Sequence, residues 1–333
     1  MNAPTMPALV LLLAAASSAA SQPKTRPLPE GAEKKAVIIY SDGVKMRGDL
    51  YLPTRAGKAD RRPAVLFCAG TAGVKAGTPV QMAPYFLEAG FVFLAFDYRG
   101  WGESDGKLVA AEPIPKPDEK SEVTMKARVV RWQMDFADQV QDIRAAISFL
   151  AGEPGVDPER IGILGTSYGG GLVTWVAAVD PRVKCTVAQV PGMGGRPPAL
   201  EQRAYDLATK QARGETEPVP LETGKPTGAM ALYAQMRYNP AKGIGMNPII
   251  AAEKIGSPML IVIAEKEELL DNKQNGEKVY ETLKARNVPT SLHILKGMTH
   301  YGVYREGFDE ATRLEVRWFE THLKKSPPPS PPK

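Results

Sequence analysis

The sequence predicts an α/β protein with a mostly parallel central sheet flanked by helices. Short, continuous apolar runs recur at residues 64–68, 91–96 and 258–264. Such runs are typical of strands that are buried on both faces of a parallel sheet. Between them lie segments with helical spacing, as at Phe136, Val140, Ile143 and Ile147, where one face of a helix is apolar and can pack on the sheet.

Two strands at the beginning of this sheet are predicted to pair as an antiparallel hairpin. Residues 36–40 and 45–52 alternate apolar and polar side chains around Ser41-Asp42-Gly43. Alternation with period two on both sides of an Asp-Gly turn is a hairpin signal.

Both ends of the chain differ from its middle. The first 20 residues carry no charged side chain and are rich in Leu, Val and Ala, which we interpret as a secretory signal peptide. A disordered leader or an uncleaved anchor is the alternative, and the apolar run is too short for a transmembrane span. Residues 21–35 are interpreted as a linker and the Pro-rich residues 326–333 as a disordered tail. Residues 36–325 then form one domain of a secreted or periplasmic protein.

Charge and cysteine content narrow the function classes. The 42 basic and 37 acidic residues give a net charge of +5 and are dispersed, which favours a solvated surface over nucleic-acid binding. Cys68 and Cys185 lie in apolar strand patterns and are predicted to be buried, with a strand between them that keeps the sulfurs too far apart to join. The three histidines lack clustered partners, so neither a metal nor a cofactor is expected.

Ser167 is the predicted nucleophile. Residues 160–171 form an apolar strand that runs into a tight turn, with Ser167 at its apex. The pattern Gly165-x-Ser167-x-Gly169 is typical of a nucleophile elbow, in which a strained turn exposes the hydroxyl and glycines let the neighbouring backbone pass closely. A small-residue helix follows, and its N-terminal dipole favours a nearby oxyanion. An ordinary Gly-rich turn between a strand and a helix is the alternative.

A second motif identifies a family. The strand at residues 91–96 enters Asp97-x-Arg99-Gly100-x-Gly102-x-Ser104. Together with the elbow, this segment resembles the α/β-hydrolase superfamily, with most similarity to its dienelactone-hydrolase-like esterase branch, over residues 36–323. The resemblance implies an α/β-hydrolase fold and a serine enzyme that cleaves carboxylic esters or lactones. A peptidase or thioesterase is the enzymatic alternative, and a non-enzymatic binding module is the third. Asp97 and Arg99 are then expected to form a local architectural brace.

The resemblance also implies an oxyanion hole made of two backbone amides. The loop Ala69-Gly70-Thr71-Ala72-Gly73 directly follows the first buried strand, and Thr71 is the candidate donor from it. Tyr168, immediately after the nucleophile, is the second candidate. A Gly-rich loop with no catalytic part is the alternative for residues 69–73.

The acid of the predicted triad lies after the strand at residues 258–264. Four carboxylates follow it, at Glu265, Glu267, Glu268 and Asp271. In related sequences the acid stands three residues beyond the last apolar residue of this strand, which selects Glu267, with Asp271 and Glu265 as alternatives. A Glu can hold an imidazole tautomer as an Asp does. The other three carboxylates are expected to be solvated surface charges.

His300 is the predicted base, because it lies on the loop beyond the strand at residues 291–295. The order Ser167, Glu267, His300 matches the order of nucleophile, acid and base in this fold. His293 lies within that strand and is expected to be a satisfied structural residue, and His322 is expected at the surface of the last helix.

Residues 191–247 are predicted to be a helical cap insertion with a helix near residues 200–212. In the resembling family, insertions at this place cover the active site and shape the pocket for a small-molecule substrate. An ordinary packed helix pair would use the same Met and Tyr side chains. The Pro-rich and charged residues 108–127 are expected to run over the surface near the mouth of the site. The oligomeric state stays open.

Overall fold

The computed structural model describes residues 26–53, 61–194, 198–217 and 236–324. The predicted signal peptide, the Pro-rich tail and residues 218–235 of the predicted cap lie outside these residues. Those three assignments therefore stay predictions. In the described part of the chain, no helix combines the length and the apolar character needed to cross a membrane.

The described chain begins with three strands and ends with a helix. The strands are β1 (Glu33–Ser41), β2 (Val44–Leu52), β3 (Arg62–Cys68), β4 (Val92–Phe96), β5 (Leu108–Ala110), β6 (Ala127–Val129), β7 (Gln133–Met134), β8 (Val156–Thr166), β9 (Val183–Gln189), β10 (Arg237–Tyr238), β11 (Met259–Ala264) and β12 (Thr290–Leu295). The helices are α1 (Thr78–Glu88), α2 (Phe136–Gly152), α3 (Tyr168–Val179), α4 (Pro198–Ala212), α5 (Pro248–Ala251), α6 (Gly276–Ala285) and α7 (Phe308–Leu323).

Eight strands form the central sheet in the order β1-β2-β4-β3-β8-β9-β11-β12. β2 pairs antiparallel with β1 and with β4, and all later neighbours are parallel. The hairpin between β1 and β2 turns through Asp42 and Gly43, both with positive φ, as a two-residue turn of type I′ requires. The predicted fold class and this hairpin are therefore confirmed.

Helices cover both faces of the sheet, which explains the uninterrupted apolar strands. α2 and α3 pack together on one face, and α1 and α7 pack together on the other. Gly162 of β8 lies against α7, where an added Cβ would stand 2.6 Å from the ring of Phe319. Gly165, on the opposite face of β8, lies against α3 and has no room for a side chain either. β8, which leads to the nucleophile, is therefore packed closely between α3 and α7.

Cys68 and Cys185 are both buried and free, as predicted. Cys68 ends β3 and Cys185 lies on β9, and β8 lies between these two strands. Burial raises the pKa of both thiols, so neither is a reactive thiolate at neutral pH.

The Asp97–Ser104 motif supports the fold over a longer range than predicted. Asp97 is a local brace in that it accepts a hydrogen bond from the amide of Glu103, and it also accepts one from the amide of Lys75, 22 residues away. Arg99 instead reaches α2, where its Nε lies 2.8 Å from Asp142 Oδ1. The Asp142 side chain is fully buried and that of Arg99 is 6% exposed. The expectation of a local brace is therefore wrong for Arg99, whose partner is 43 residues away.

This buried ion pair gives a stability prediction. Arg99→Leu leaves the Asp142 carboxyl group buried without the guanidinium that it pairs with. Burial raises the pKa of Asp142, and in the wild type the Arg99 guanidinium opposes this effect. We expect the free energy of unfolding in urea to fall by about 3 kcal/mol or more. Arg160→Leu is the matched control, because its pair with Asp157 is 23% and 27% exposed and should contribute less than about 1 kcal/mol. Equal losses in the two variants would contradict the buried-pair interpretation.

Candidate active site

Ser167 stands at the junction of β8 and α3 in a strained conformation. Its φ of 53° and ψ of −122° lie in a region that residues other than glycine rarely adopt. Backbone hydrogen bonds hold it there: its amide donates to Gln189 O over 2.8 Å, and its carbonyl accepts from the amides of Gly170 and Gly192. The turn is therefore fixed from both sides and exposes the hydroxyl.

Gly169, two residues after the nucleophile, must be a glycine because another backbone segment passes close to it. A Cβ at Gly169 would lie 2.3 Å from the carbonyl oxygen of Cys68. The end of β3 therefore passes directly beside the elbow, and the loop after β3 begins next to the nucleophile.

The structure brings the three predicted side chains into one hydrogen-bonded line. His300 Nε2 lies 3.1 Å from Ser167 Oγ, and His300 Nδ1 lies 3.0 Å from both carboxyl oxygens of Glu267. A carboxylate can only accept, so the imidazole proton belongs on Nδ1 and Nε2 is left to accept from the Ser167 hydroxyl. This is the tautomer that a general base needs.

The acid and the base are shielded from water. The side chains of His300 and Glu267 are each 3% exposed. Glu267 Oε1 also accepts from the amides of Leu269 at 3.0 Å and Leu270 at 3.3 Å. These two hydrogen bonds hold the Glu267 carboxyl group in the orientation in which it contacts the imidazole of His300.

The rival carboxylates have other partners. Glu265 accepts from Lys296 Nζ and the amide of Gly297, and these bonds with Lys296 and Gly297 lower its pKa. Asp271 accepts from the amide of Lys273 at the start of a short 3₁₀ helix. Glu267 is thus the carboxylate that contacts the imidazole.

Glu268 has a structural contact that the sequence did not predict. Its Oε2 accepts a 2.7 Å hydrogen bond from the backbone amide of His300. Glu265, Glu268 and Asp271 are all exposed, as expected for the remaining carboxylates of this loop, and each also accepts a hydrogen bond from a defined donor. No sequence signal separates Glu268 from its neighbours, because its partner is a backbone group 32 residues away.

The other two histidines lie apart from Ser167. His293 is on β12, its side chain is 38% exposed, and its Nε2 lies 3.4 Å from Glu310 Oε1, which is a weaker contact than expected for a satisfied strand residue. The His322 ring is partly exposed on the last helix, as predicted, and its centroid lies 4.2 Å from that of the Trp318 ring. Among the described residues, no three His, Cys, Asp or Glu side chains are grouped so that they could hold a metal ion.

The candidate oxyanion donors lie on the two segments that meet at the elbow. Tyr168 is the first residue of α3, and its side-chain hydroxyl donates to Gln139 Oε1 over 2.7 Å. Gly70 packs against the elbow, where an added Cβ would be 3.0 Å from Ser167 Cβ. The next residue, Thr71, belongs to a turn closed by a hydrogen bond from the Gly73 amide to Gly70 O. Ala72 in this turn has a φ of 60°, so the turn next to the elbow also contains a strained residue.

Two surface segments of the described chain contact each other. α4 agrees with the helix predicted near residues 200–212. Beyond it, β10 pairs with β7, the strand just before α2, and Arg128 of the β5–β6 hairpin pairs with Glu217. The described part of the predicted cap therefore contacts residues that directly follow the 108–127 excursion. Whether this region caps the pocket stays a prediction.

The chain is similar in sequence to an uncharacterized bacterial protein and in fold to hydrolases of solved structure. It is 28% identical over 292 residues to an uncharacterized 31.7 kDa protein of Escherichia coli, covering 79% of this chain and 92% of that one. The α/β hydrolase GrgF from Penicillium sp. superposes with a TM-score of 0.64 and 21% identity, covering 88% of this chain and all of GrgF. The carboxylesterase EstE1 from a metagenomic library superposes with a TM-score of 0.61 and 22% identity, covering 91% and 92%.

Two family profiles match the chain. The profile of the X-Pro dipeptidyl-peptidase (S15) family matches residues 42–205, and the profile of the prolyl oligopeptidase family matches residues 133–326. The second match spans the elbow, the carboxylate loop and His300. These matches and the structural neighbours confirm the α/β-hydrolase resemblance, and the protein is a hydrolase of that superfamily. The prolyl oligopeptidase profile covers more than half of the sequence, so the chain belongs to the prolyl oligopeptidase family.

Proposed function

We propose that this protein is a serine hydrolase that cleaves carboxylic esters or lactones through an acyl-enzyme intermediate. The observation that supports this proposal is the line of hydrogen bonds from Ser167 through His300 to Glu267. A hydroxyl, a neutral imidazole and a carboxyl group in this order are the parts that activate serine for attack on a carbonyl carbon.

In the first half of the reaction, Ser167 Oγ attacks the substrate carbonyl while His300 Nε2 accepts the hydroxyl proton. The resulting imidazolium is stabilised by Glu267, which holds the Nδ1 proton and does not itself take it. Because Glu267 and His300 are almost fully buried, this charge pair forms away from water, where its attraction is stronger.

The tetrahedral oxyanion needs donors that are in place before the reaction. We assign this role to the backbone amides of Thr71 and Tyr168, which belong to the two strained turns beside Ser167. Backbone donors cost no reorganisation when charge develops, and one such donor contributes about 10²-fold to the rate. His300 then returns its proton to the leaving alcohol, and the acyl group stays on Ser167 until water, activated by the same imidazole, releases it.

Peptide hydrolysis is a second candidate, since both matching families are described as peptidases. The same three groups would attack an amide, with His300 protonating the leaving amine. An ester requires less of the site because its alcohol leaves more readily than an amine, so we place esters first.

Hydrolysis of p-nitrophenyl acetate, butyrate and octanoate by the protein without residues 1–20 tests this proposal. We expect turnover of at least one ester, lost in Ser167→Ala, and the chain-length profile measures the acyl pocket. Gly-Pro p-nitroanilide and an acyl thioester are tested in parallel. Faster cleavage of the anilide or the thioester than of all three esters would overturn the ester assignment. Failure of Ser167 to react with a fluorophosphonate would overturn the serine mechanism itself.

A further inference from the structure

A buried chain of polar side chains runs from the nucleophile to the last helix. Thr166, the residue before Ser167, lies with its Oγ1 2.8 Å from Gln189 Oε1. Gln189 Nε2 donates over 2.8 Å to Glu315 Oε1 on α7. All three side chains are buried, and that of Glu315 is fully so. The chain thus connects the strand of the elbow to a helix 126 residues beyond Gln189.

This chain also reaches the loop that carries the base. Thr166 Oγ1 lies 2.5 Å from the hydroxyl of Tyr304. Since Thr166 donates to Gln189, the Tyr304 hydroxyl is the donor to Thr166. Tyr304 lies four residues after His300, and the two ring centroids are 6.1 Å apart. One network of hydrogen bonds therefore touches the segments of both the nucleophile and the base.

Gln189 fixes the elbow with two groups at once. Its carbonyl oxygen accepts from the amide of Ser167 over 2.8 Å, while its side chain accepts from Thr166. The rotamer of Gln189 is in turn held by Glu315. Because Ser167 has a φ of 53°, the turn needs such restraint to keep its strained conformation.

Glu315 is an unusual residue for this position. It occupies the buried stripe of α7 with Ala311, Phe319 and Leu323, and its Oε2 has no hydrogen-bond partner among the described residues. Burial raises its pKa to about 8, against a smaller opposing effect of the bond from Gln189. At neutral pH it is therefore mostly a neutral carboxyl group, which costs far less to bury than a carboxylate.

We propose that Glu315 is a positioning residue for the active site, acting through Gln189 and Thr166 to hold Ser167 and, through Tyr304, His300. This inference rests on the proposed function of Ser167. Its role needs a neutral hydrogen-bond acceptor rather than a charge, since Gln189 supplies the donor and no cation is paired with Glu315 in the described part of the chain.

The test compares Glu315→Leu with Glu315→Gln. Leucine removes the acceptor of Gln189, so we expect kcat for the best ester and the rate of fluorophosphonate labelling of Ser167 each to fall about tenfold, with KM unchanged. Glutamine is a neutral isostere that still accepts from Gln189, so we expect it to restore both rates to within about twofold of wild type. Thr166→Val keeps the volume but cuts the chain next to Ser167, and should lower both rates even if Glu315→Leu fails to fold.

Thr312→Val is the matched control, because Thr312 is buried one turn earlier on α7 and its hydroxyl has no partner in the described residues. We expect this variant to keep both rates. Unchanged labelling in Glu315→Leu and Thr166→Val, or equal losses in Glu315→Gln and Glu315→Leu, would overturn the positioning role. A wild type that is not labelled at all would overturn the serine mechanism, and with it this inference, whereas a labelled wild type that cleaves no ester would overturn only the ester assignment.

Discussion

Replacing His300 by Ala is expected to lower kcat for the best p-nitrophenyl ester by about 10³-fold or more, while the variant still folds and unfolds in urea in one cooperative transition. The large effect follows from the contacts of the ring, which joins Ser167 Oγ at 3.1 Å to Glu267 at 3.0 Å. Without it, Ser167 has no group to take its proton, and only the oxyanion hole and substrate binding remain. Steady-state kinetics measures the loss of kcat, and urea denaturation shows whether the variant is folded.

His293→Ala is the control for this variant. The side chain of His293 is 38% exposed and its contact with Glu310 spans 3.4 Å, so we expect kcat to stay within about twofold and stability within about 0.5 kcal/mol of wild type. A large loss of kcat in His293→Ala, with activity retained in His300→Ala, would contradict the assignment of the base.

The fold could be predicted from sequence because its signals are local. Continuous apolar runs predicted β3, β4 and β11 as strands covered on both faces, and both faces are indeed covered by helices. The hairpin of β1 and β2 followed from alternation and one Asp-Gly turn. Local patterns do not contain the order of the strands in the sheet, which the structure shows.

The site was predictable only where a short motif carries it. Ser167 lies in a five-residue pattern whose glycines are required by close backbone contacts, Gly165 with the elbow itself and Gly169 with the end of β3. Glu267 could be selected among four carboxylates only by its distance from the end of β11 in related sequences. Glu268 and Gln189 act through partners 32 and 126 residues away, which no local pattern reveals.

Glu315 is an intermediate case, since a signal for it exists in the sequence. It lies four residues after Ala311 and four before Phe319, at a core position of an amphipathic helix, where a carboxylate is rarely found without a partner. That spacing marks Glu315 as unusual, but its connection to the nucleophile required the structure.

Glu267→Ala is expected to lower kcat by about 10³-fold, because the imidazole loses the group that holds its Nδ1 proton and stabilises its cation. Glu267 has both carboxyl oxygens 3.0 Å from Nδ1, and Glu267→Asp shortens the side chain by one methylene and withdraws the carboxyl group from that contact. Glu267→Asp should therefore recover only part of the activity. The same ester assay measures all of these variants.

Asp271→Ala is the matched control from the same loop. Asp271 accepts from the amide of Lys273 at the start of a 3₁₀ helix, so its loss should lower the free energy of unfolding by about 1 kcal/mol, as for a helix cap, and leave kcat nearly unchanged. If instead Asp271→Ala lost activity about 10³-fold and Glu267→Ala kept it, the loop would have to rearrange during catalysis and Asp271 would be the acid. Because Glu267 is already bonded to the buried imidazole and to the amides of Leu269 and Leu270, such an exchange would break three hydrogen-bonded contacts, and we expect Glu267 to keep the role.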